Sequence, residues 1–284
     1  MNTLLDGGAT SFNFPFWKVN DMQDQDPQSV NEGGTLSADS ITAGKQVARR
    51  LFFEKAWGKN DLVDVQAGSD PVEAVLSHLG KYWDRQYQKI MFYSIQGVIA
   101  DNVANDSSDM VEDITGATTT TINSNDIIDA IGKFGDADQD VVAIAMHSTT
   151  HNTLRKANLI DFTPTNEQNI GWGTYLGKTI IVDDMLLVSS TYWTVIFKSS
   201  AFMTGFSAEG YVQAETDRVP SVSGGQTIFY TRRVLAMHPA GFAWVEGSLP
   251  RTYPEYGDLA AAAHWNRVVS SVKNVGFSIL KSTG

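Results

Sequence analysis

From Ser69 to Ala104 apolar residues recur at helical spacing with little interruption: Val72, Val75, Leu76, Leu79, Trp83, Tyr87, Ile90, Met91, Ile95, Val98 and Ile99. Lys81, Asp84, Arg85, Gln88 and Lys89 occupy the opposite side. Ser69 or Asp70 suits the N-cap, Pro71 the first helical position, and Glu73 puts negative charge in the first turn. At about 1.5 Å per residue this helix would run roughly 50 Å. That is close to twice the radius of gyration of a domain this size, so the helix cannot hide inside a compact core. It is predicted to act as a beam across the molecule. Tyr82, Phe92 and Tyr93 lie off the main stripe, which predicts packing on more than one side. On this stretch alone, a long core helix of an ordinary globular enzyme also remains open.

The beam has ample company. The chain has 284 residues, 42% of them hydrophobic, enough for one large domain or two medium ones and too many for general disorder. A net charge of -11 and a pI near 4.8 argue against tight electrostatic binding to nucleic acid, which needs a basic surface. The same charge suits a protein that stays soluble when crowded or must avoid sticking to DNA. With no cysteine there is no disulfide, thiolate catalysis or cysteine-held zinc. Residues 1–9 lack a signal-peptide pattern, and no apolar run reaches the roughly 18 residues of a membrane span. A soluble intracellular protein is expected, with no membrane partner.

Before the beam, residues 10–17 (TSFNFPFW) alternate, with Phe12, Phe14 and Phe16 on one face of an extended strand. Pro15 confines that strand to a sheet edge or a free hairpin. Asp21 to Gly34 reads as an exposed acidic tip, and Thr35 to Ile41 as extended again. Lys45 to Trp57 is cationic and aromatic. Residues 10–57 together are predicted to form a long two-stranded ribbon. Such a ribbon is marginal in water and needs something to lie on, for which another copy of the chain is a candidate.

After the beam, 105–125 is a polar connection or small hairpin. A short helix at 127–134 is expected to be capped by Ser124 or Asn125. A buried strand follows at 141–146, then a helix at 148–157, a loop at 161–173, and β runs at 178–182 and 193–197. This block, 126–206, reads as a compact α/β piece. Tyr211 to Glu215 and Thr227 to Met237 pair as a long hairpin, its turn containing Pro220, Gly224 and Gly225. The tail adds Phe242 to Val245, an alanine-rich helix near 259–264 and a last strand at 275–280.

The search for chemistry comes back empty. His147 and His151 have a zinc-like helical spacing, yet the residues between them lack the glutamate of a metalloprotease helix. Asp136, Asp138 and Asp140 imitate the start of a calcium loop, but Val141 stands where glycine is needed and His147 where glutamate is. No nucleophile elbow, phosphate-binding glycine loop or dinucleotide fingerprint is present. A metal-dependent hydrolase using His147, His151 and Asp183 is a distant alternative. Phe52, Phe53 and Trp57 among cations could stack on single-stranded nucleic acid, but the acidic balance favours a protein contact.

The order of the pieces carries more than any motif. An early ribbon, a long helix, a compact α/β block and a long hairpin together resemble the major capsid proteins of tailed bacteriophages, the α+β HK97-like fold. The stretches that carry the likeness include GGATSFNFPFW (7–17), ITAGKQVARRLFFEKAWGKNDL (41–62) and IIDAIGKFGD (127–136). AIAMHSTTHNTLRKANLI (143–160), YLGKTIIVDD (175–184), RRVLAMHPAGFAW (232–244) and AAAHWNRVVSSVKNVGFSILK (261–281) extend it. By this resemblance 1–9 is a short N-terminal segment, 10–57 the E-loop, and 58–125 the peripheral domain with its spine helix at 69–104. Residues 126–206 form the axial domain, 207–237 the peripheral hairpin, and 238–284 the return to the axial domain. Members of the family carry an N-terminal arm before this segment; here Met1 precedes the likeness almost at once, so the arm is expected to be short, cleaved or missing. No cross-linking lysine–asparagine pair can be placed.

The resemblance implies self-assembly through hexamers and pentamers into an icosahedral shell around double-stranded DNA. Portal, scaffold and decoration proteins would be further partners, and assembly would take place in the host bacterial cytoplasm. An encapsulin-like nanocompartment shares the fold and stays open. No catalytic residue, metal or cofactor is expected. Contacts between copies are assigned to Phe14, Phe16, Trp17, Asp21, Asp24, Asp26 and Glu32 on the ribbon, with Arg49, Arg50, Phe52, Phe53 and Trp57 at its base. At the peripheral hairpin turn they are assigned to Glu215, Asp217, Arg218 and Gln226.

Overall fold

The computed structural model describes residues 5, 9–18, 27, 29–30, 32–35, 43–62, 66, 71–117, 119–160, 173–207, 211–222, 224–247 and 249–283. Its longest element is helix α1, Pro71–Asn105, 35 residues and about 52 Å at 1.5 Å per residue. The cap residues Ser69 and Asp70 lie outside the described residues. Among its described side chains the first half of α1 buries only Trp83 and Gln86, whereas Ile90, Phe92, Ser94, Ile95, Val98, Ile99, Asp101 and Asn102 are all buried in the second half. That second half lies in the common core, and the off-stripe residues explain how. Phe92 meets Trp193 with ring centroids 6.3 Å apart, while Tyr93 meets Tyr256 at 5.4 Å. Gly97 allows the closest approach: a Cβ there would run into the Leu259 carbonyl and the Trp265 indole, which are hydrogen bonded to each other at 2.7 Å.

The last turn of α1 has no basic residue of its own. Arg267 supplies the cation its dipole needs, pairing with Asp109 at 2.7 Å and Asp106 at 3.3 Å. Asp101, buried beside them, has its carboxyl pushed up by that burial.

Two sheets flank the beam. In the first, β3 (Leu51–Asn60) runs antiparallel to β12 (Gln226–Pro239), with Leu51 opposite Leu235 and Asn60 opposite Gln226. On the other edge of β12, β11 (Ala214–Val219) and β10 (Phe202–Ser207) follow one another. The face bearing Trp57, Phe229 and Thr231 looks onto α1. The indole N–H of Trp83 donates to Thr231 Oγ1 at 3.1 Å, and the Trp57 ring meets Tyr82 edge-on at 5.1 Å.

The second sheet has seven strands. Six lie in the order β4 (Val111–Asp113), β15 (Phe277–Ser282), β9 (Thr191–Lys198), β5 (Val141–Met146), β7 (Lys178–Val182), β6 (Thr174–Tyr175); β8 (Leu187–Val188) also pairs with β9. Helix α2 (Ser124–Gly132) packs on β15, where Ser278 Oγ donates to the Ala130 carbonyl. Helix α3 (Ser148–Lys156) makes the crossover that the parallel pair β5–β7 requires. A small pair, β13 (Phe242–Trp244) with β14 (Trp265–Arg267), and the one-turn helix α4 (Tyr256–Leu259) fill the angle between sheets and beam. Under the beam, burial pushes the Tyr256 hydroxyl up to about 12, so it stays protonated and donates to Gln86 Oε1 at 2.9 Å.

Several expectations change. Residues 126–206 do not close on themselves: the C-terminal β15 lies between β4 and β9, and β10 belongs to the other sheet. The connection 105–125 contributes β4, parallel to β15. Neither Ser124 nor Asn125 caps α2. Asn123 does, through a reciprocal box with Asp126. Residues 216–219, expected in a turn, are strand, and 211–213 are not. The tail helix starts earlier, at Tyr256, and only a short 3-10 turn covers Ala262–His264. Pro164 and Gly171 lie outside the described residues.

Candidate inter-subunit surface

The ribbon is built by β1 (Ser11–Trp17) and β2 (Ala43–Arg49), antiparallel, with Ser11 opposite Arg49 and Trp17 opposite Ala43. Pro15 costs nothing because β1 has no other partner among the described residues. Alternation puts Phe12, Phe14 and Phe16 on one face, and their burial fades outward. Phe12 is buried in a small core with Leu5, Val234 and Ala236, Phe14 packs on that core, Phe16 is half-buried, and Trp17 on the other face is 66% exposed. The Phe16 ring lies across Gly44 in the space a side chain would need. Beyond it a cleft of about 260 Å³ opens between Trp17, Lys18, Gln46, Val269, Ser270 and Asn274.

The base of the ribbon is clamped to its own chain. Arg49 Nη1 donates to Glu246 Oε1 at 2.8 Å and Nη2 to the Thr252 carbonyl at 2.9 Å. Arg50 stands 5.8 Å from the Phe12 ring, its N–H donating to the Thr10 carbonyl. Phe52, Phe53 and Trp57 are not on the ribbon at all: the chain leaves it at Arg49 and continues as β3. Phe52 stacks on Tyr253 at 5.6 Å, Phe53 on Tyr256 at 5.0 Å, and Trp57 on Phe229 at 6.2 Å. These three rings and Arg49 have partners within one molecule, and Phe52, Phe53 and Trp57 remain half-buried. Asp21, Asp24 and Asp26 lie outside the described residues; Glu32 is exposed.

At the peripheral hairpin, too, most charges are already paired. Arg218 meets Asp61 at 2.6 Å, and Arg232 meets Glu215 at 2.6 Å and Glu54 at 3.6 Å. Gln226 lies over Gly58, and Asp217 is exposed, its carboxylate accepting, among the described residues, only from the neighbouring Arg218 N–H.

The residues weighed for hydrolysis have structural work instead. His147 caps α3, its Nδ1 accepting from the Thr149 N–H at 3.0 Å, and its ring lies 4.8 Å from Tyr192. His151 is buried one turn on. Asp183 braces the beam through Arg85 at 2.8 Å and accepts from the Met185 N–H. Asp184, not Asp183, faces His147, at 3.7 Å, and the Ser148 bond holds its carboxyl below the usual range. Asp136 and Asp140 pair with Lys273 and Lys198. Among the described residues no three His, Asp or Glu side chains are grouped to hold a metal, and no helix is long and apolar enough to cross a membrane.

Comparison with known proteins agrees with this geometry. The family described as Gp13-like, major capsid protein 13-like, matches residues 16–276. The major capsid protein of Bacillus phage SPP1 is 33% identical over 270 residues, covering 94% of this chain and 82% of that one. Among solved structures, the capsid of Ralstonia phage GP4 superposes with a TM-score of 0.62 at 8% identity, over 99% of this chain and 86% of that chain. The cyanophage Pam1 capsid asymmetric unit gives 0.57 at 9% identity, over 99% and 87%. These two likenesses establish the HK97-like fold. By the family match over residues 16–276 and the 33% identity to the SPP1 protein, the chain belongs to the Gp13-like family of major capsid proteins, which are structural proteins.

Proposed function

We propose that copies of this chain form hexamers and pentamers that close into an icosahedral shell around phage double-stranded DNA. The observation that carries this reading is the ribbon gradient: Phe12 is locked into the subunit while Trp17, five residues on, is 66% exposed. A two-stranded ribbon is marginal alone, so rings displayed at its outer end call for a surface on another copy. Burying them there at about 25 cal/mol per Å² supplies affinity, while exposed charge pairs worth about 0–1 kcal/mol each set orientation.

In this reading β1, β2 and the segment between them are the E-loop, ending at Arg49 instead of Trp57. The beam with the β3–β12–β11/β10 sheet is the peripheral domain. The seven-stranded sheet with α2 and α3 is the axial domain, to which 238–284 returns. Phe14, Phe16, Trp17 and Glu32, the sequence-assigned Asp21, Asp24 and Asp26, and Asp217 at the hairpin make the contacts. The exposed Lys81 of a neighbour's beam offers a cation to the acidic ribbon. The net charge of -11 lets the shell enclose DNA without gripping it. Portal, scaffold and decoration proteins are its further partners, and the host cytoplasm its place of assembly.

Electron microscopy of the full chain expressed in bacteria tests this reading. Closed shells with pentameric and hexameric units bear it out; a chain that stays monomeric at high concentration and with a co-expressed scaffold refutes it.

A further inference from the structure

Two helices on the seven-stranded sheet present solvent faces of opposite charge. On α2 the exposed row is Asn125, Ile128, Asp129 and Gly132, one stripe at i, i+3, i+4 and i+7. The 3-10 turn Gly135–Asp140 continues it with exposed Asp136, Asp138 and Asp140. Lys273 and Lys198 answer Asp136 and Asp140, and Lys133 is held by Glu112 at 2.8 Å. Asp129 and Asp138 have no ion pair among the described residues, and Ile128 beside them is 49% exposed. Helix α3 is the reverse. It contains no acid, ends on Arg155 and Lys156, and exposes Thr149, Asn152 and Lys156 along one row. No ion pair engages Lys156 among the described residues.

We propose that the α2 face, centred on Ile128 and Asp129 and extended by Asp138, docks on the Asn152–Lys156 face of α3 in a second copy of this chain. Charge complementarity selects the occupant. A two-fold axis through α2 would set the acidic face against itself, and the separation of the two faces on the sheet suits a head-to-tail contact. The two faces belong to different parts of the sheet, α2 on β15 near one edge and α3 bridging β5 and β7 toward the other. One subunit can therefore offer both at once, the requirement for a ring. Ile128 supplies the apolar centre and the charges the polar rim. The assignment rests on the shell-forming reading above and adds to it a pair of surfaces.

A charge swap on the full chain tests it, read by sedimentation and micrographs beside wild type. Asp129→Lys with Asp138→Lys turns two attractions into repulsions. It is expected to cut particle yield by about tenfold or more while circular dichroism stays native. Adding Asn152→Glu and Lys156→Glu to the same chain reverses both faces and is expected to restore particles. Should the first variant assemble like wild type, or the four-fold variant fail to recover while folded, the pairing is wrong and shell formation stands. If wild type itself forms no particles, both readings fall.

Discussion

Gly97 sets two opposing effects against each other within one helix. By helix propensity alone, Gly97→Ala should stabilise the interior of α1 by about 0.5–1 kcal/mol. The structure predicts the opposite sign. A Cβ at 97 would overlap the Leu259 carbonyl, which is backbone and cannot rotate away, and the Trp265 indole that donates to it. Overpacking of this kind costs roughly 1–3 kcal/mol, and pushing the indole off the carbonyl forfeits about 1 kcal/mol more. The net expectation is a loss of about 1–3 kcal/mol. Gly80, exposed and with nothing near its missing Cβ, is the control in the same helix: Gly80→Ala should gain up to about 1 kcal/mol. In thermal unfolding of the unassembled chain, followed by circular dichroism, Gly97→Ala should melt roughly 2–8 °C lower and Gly80→Ala slightly higher. If both alanines raise the melting temperature, the close approach of α4 and β14 to the beam is wrong.

Two further perturbations probe other joints. His238 is buried, its Nε2–H donating to the Phe242 carbonyl at 2.7 Å, and burial lowers its pKa to about 4. Because the unfolded chain takes up this proton near pH 6.5 and the folded one only near 4, stability is fully present above about 6.5. It should fall through that window by at most roughly 3 kcal/mol. Urea unfolding at stepped pH checks this, and His238→Gln should flatten that part of the slope. Arg49→Met removes the clamp to Glu246 and Thr252. Since Glu246 is half exposed the loss should be only about 1 kcal/mol, seen as several-fold faster hydrogen exchange in β1 and β2 with the melting temperature little changed.

How far the sequence could be read follows from which residues determine each element. The beam announced itself because its apolar spacing is local and long. β5 and β7 were legible to the residue, since VVAIAM and KTIIV are short apolar runs between turns. β3 was mistaken for ribbon because its partner β12 lies more than a hundred residues away, and alternation does not name a partner. β11 was displaced because Glu215 and Asp217 face solvent on a sheet edge, leaving no apolar rhythm to find. β4 is three residues long and exists only because β15 runs beside it. The α2 cap was within reach: of the three neighbouring candidates only Asn123 has an acid three residues on at Asp126, the sign of a capping box. The exposure of Trp17 follows from its place at the outer end of an edge strand, whereas the packing of Phe52, Phe53 and Trp57 depends on tyrosines 211, 253 and 256 and on Phe229, which no local pattern connects to them.

The claim that this subunit completes itself only against its own copies comes down to the outer end of the ribbon. Phe16→Ala together with Trp17→Ala removes the two rings least covered there while leaving Phe12 and the Arg49 clamp in place. Sedimentation velocity of the doubly substituted chain under conditions where wild type forms shells is the most direct test. The account predicts a native-fold subunit that sediments as a small species; shells formed in normal yield would contradict it.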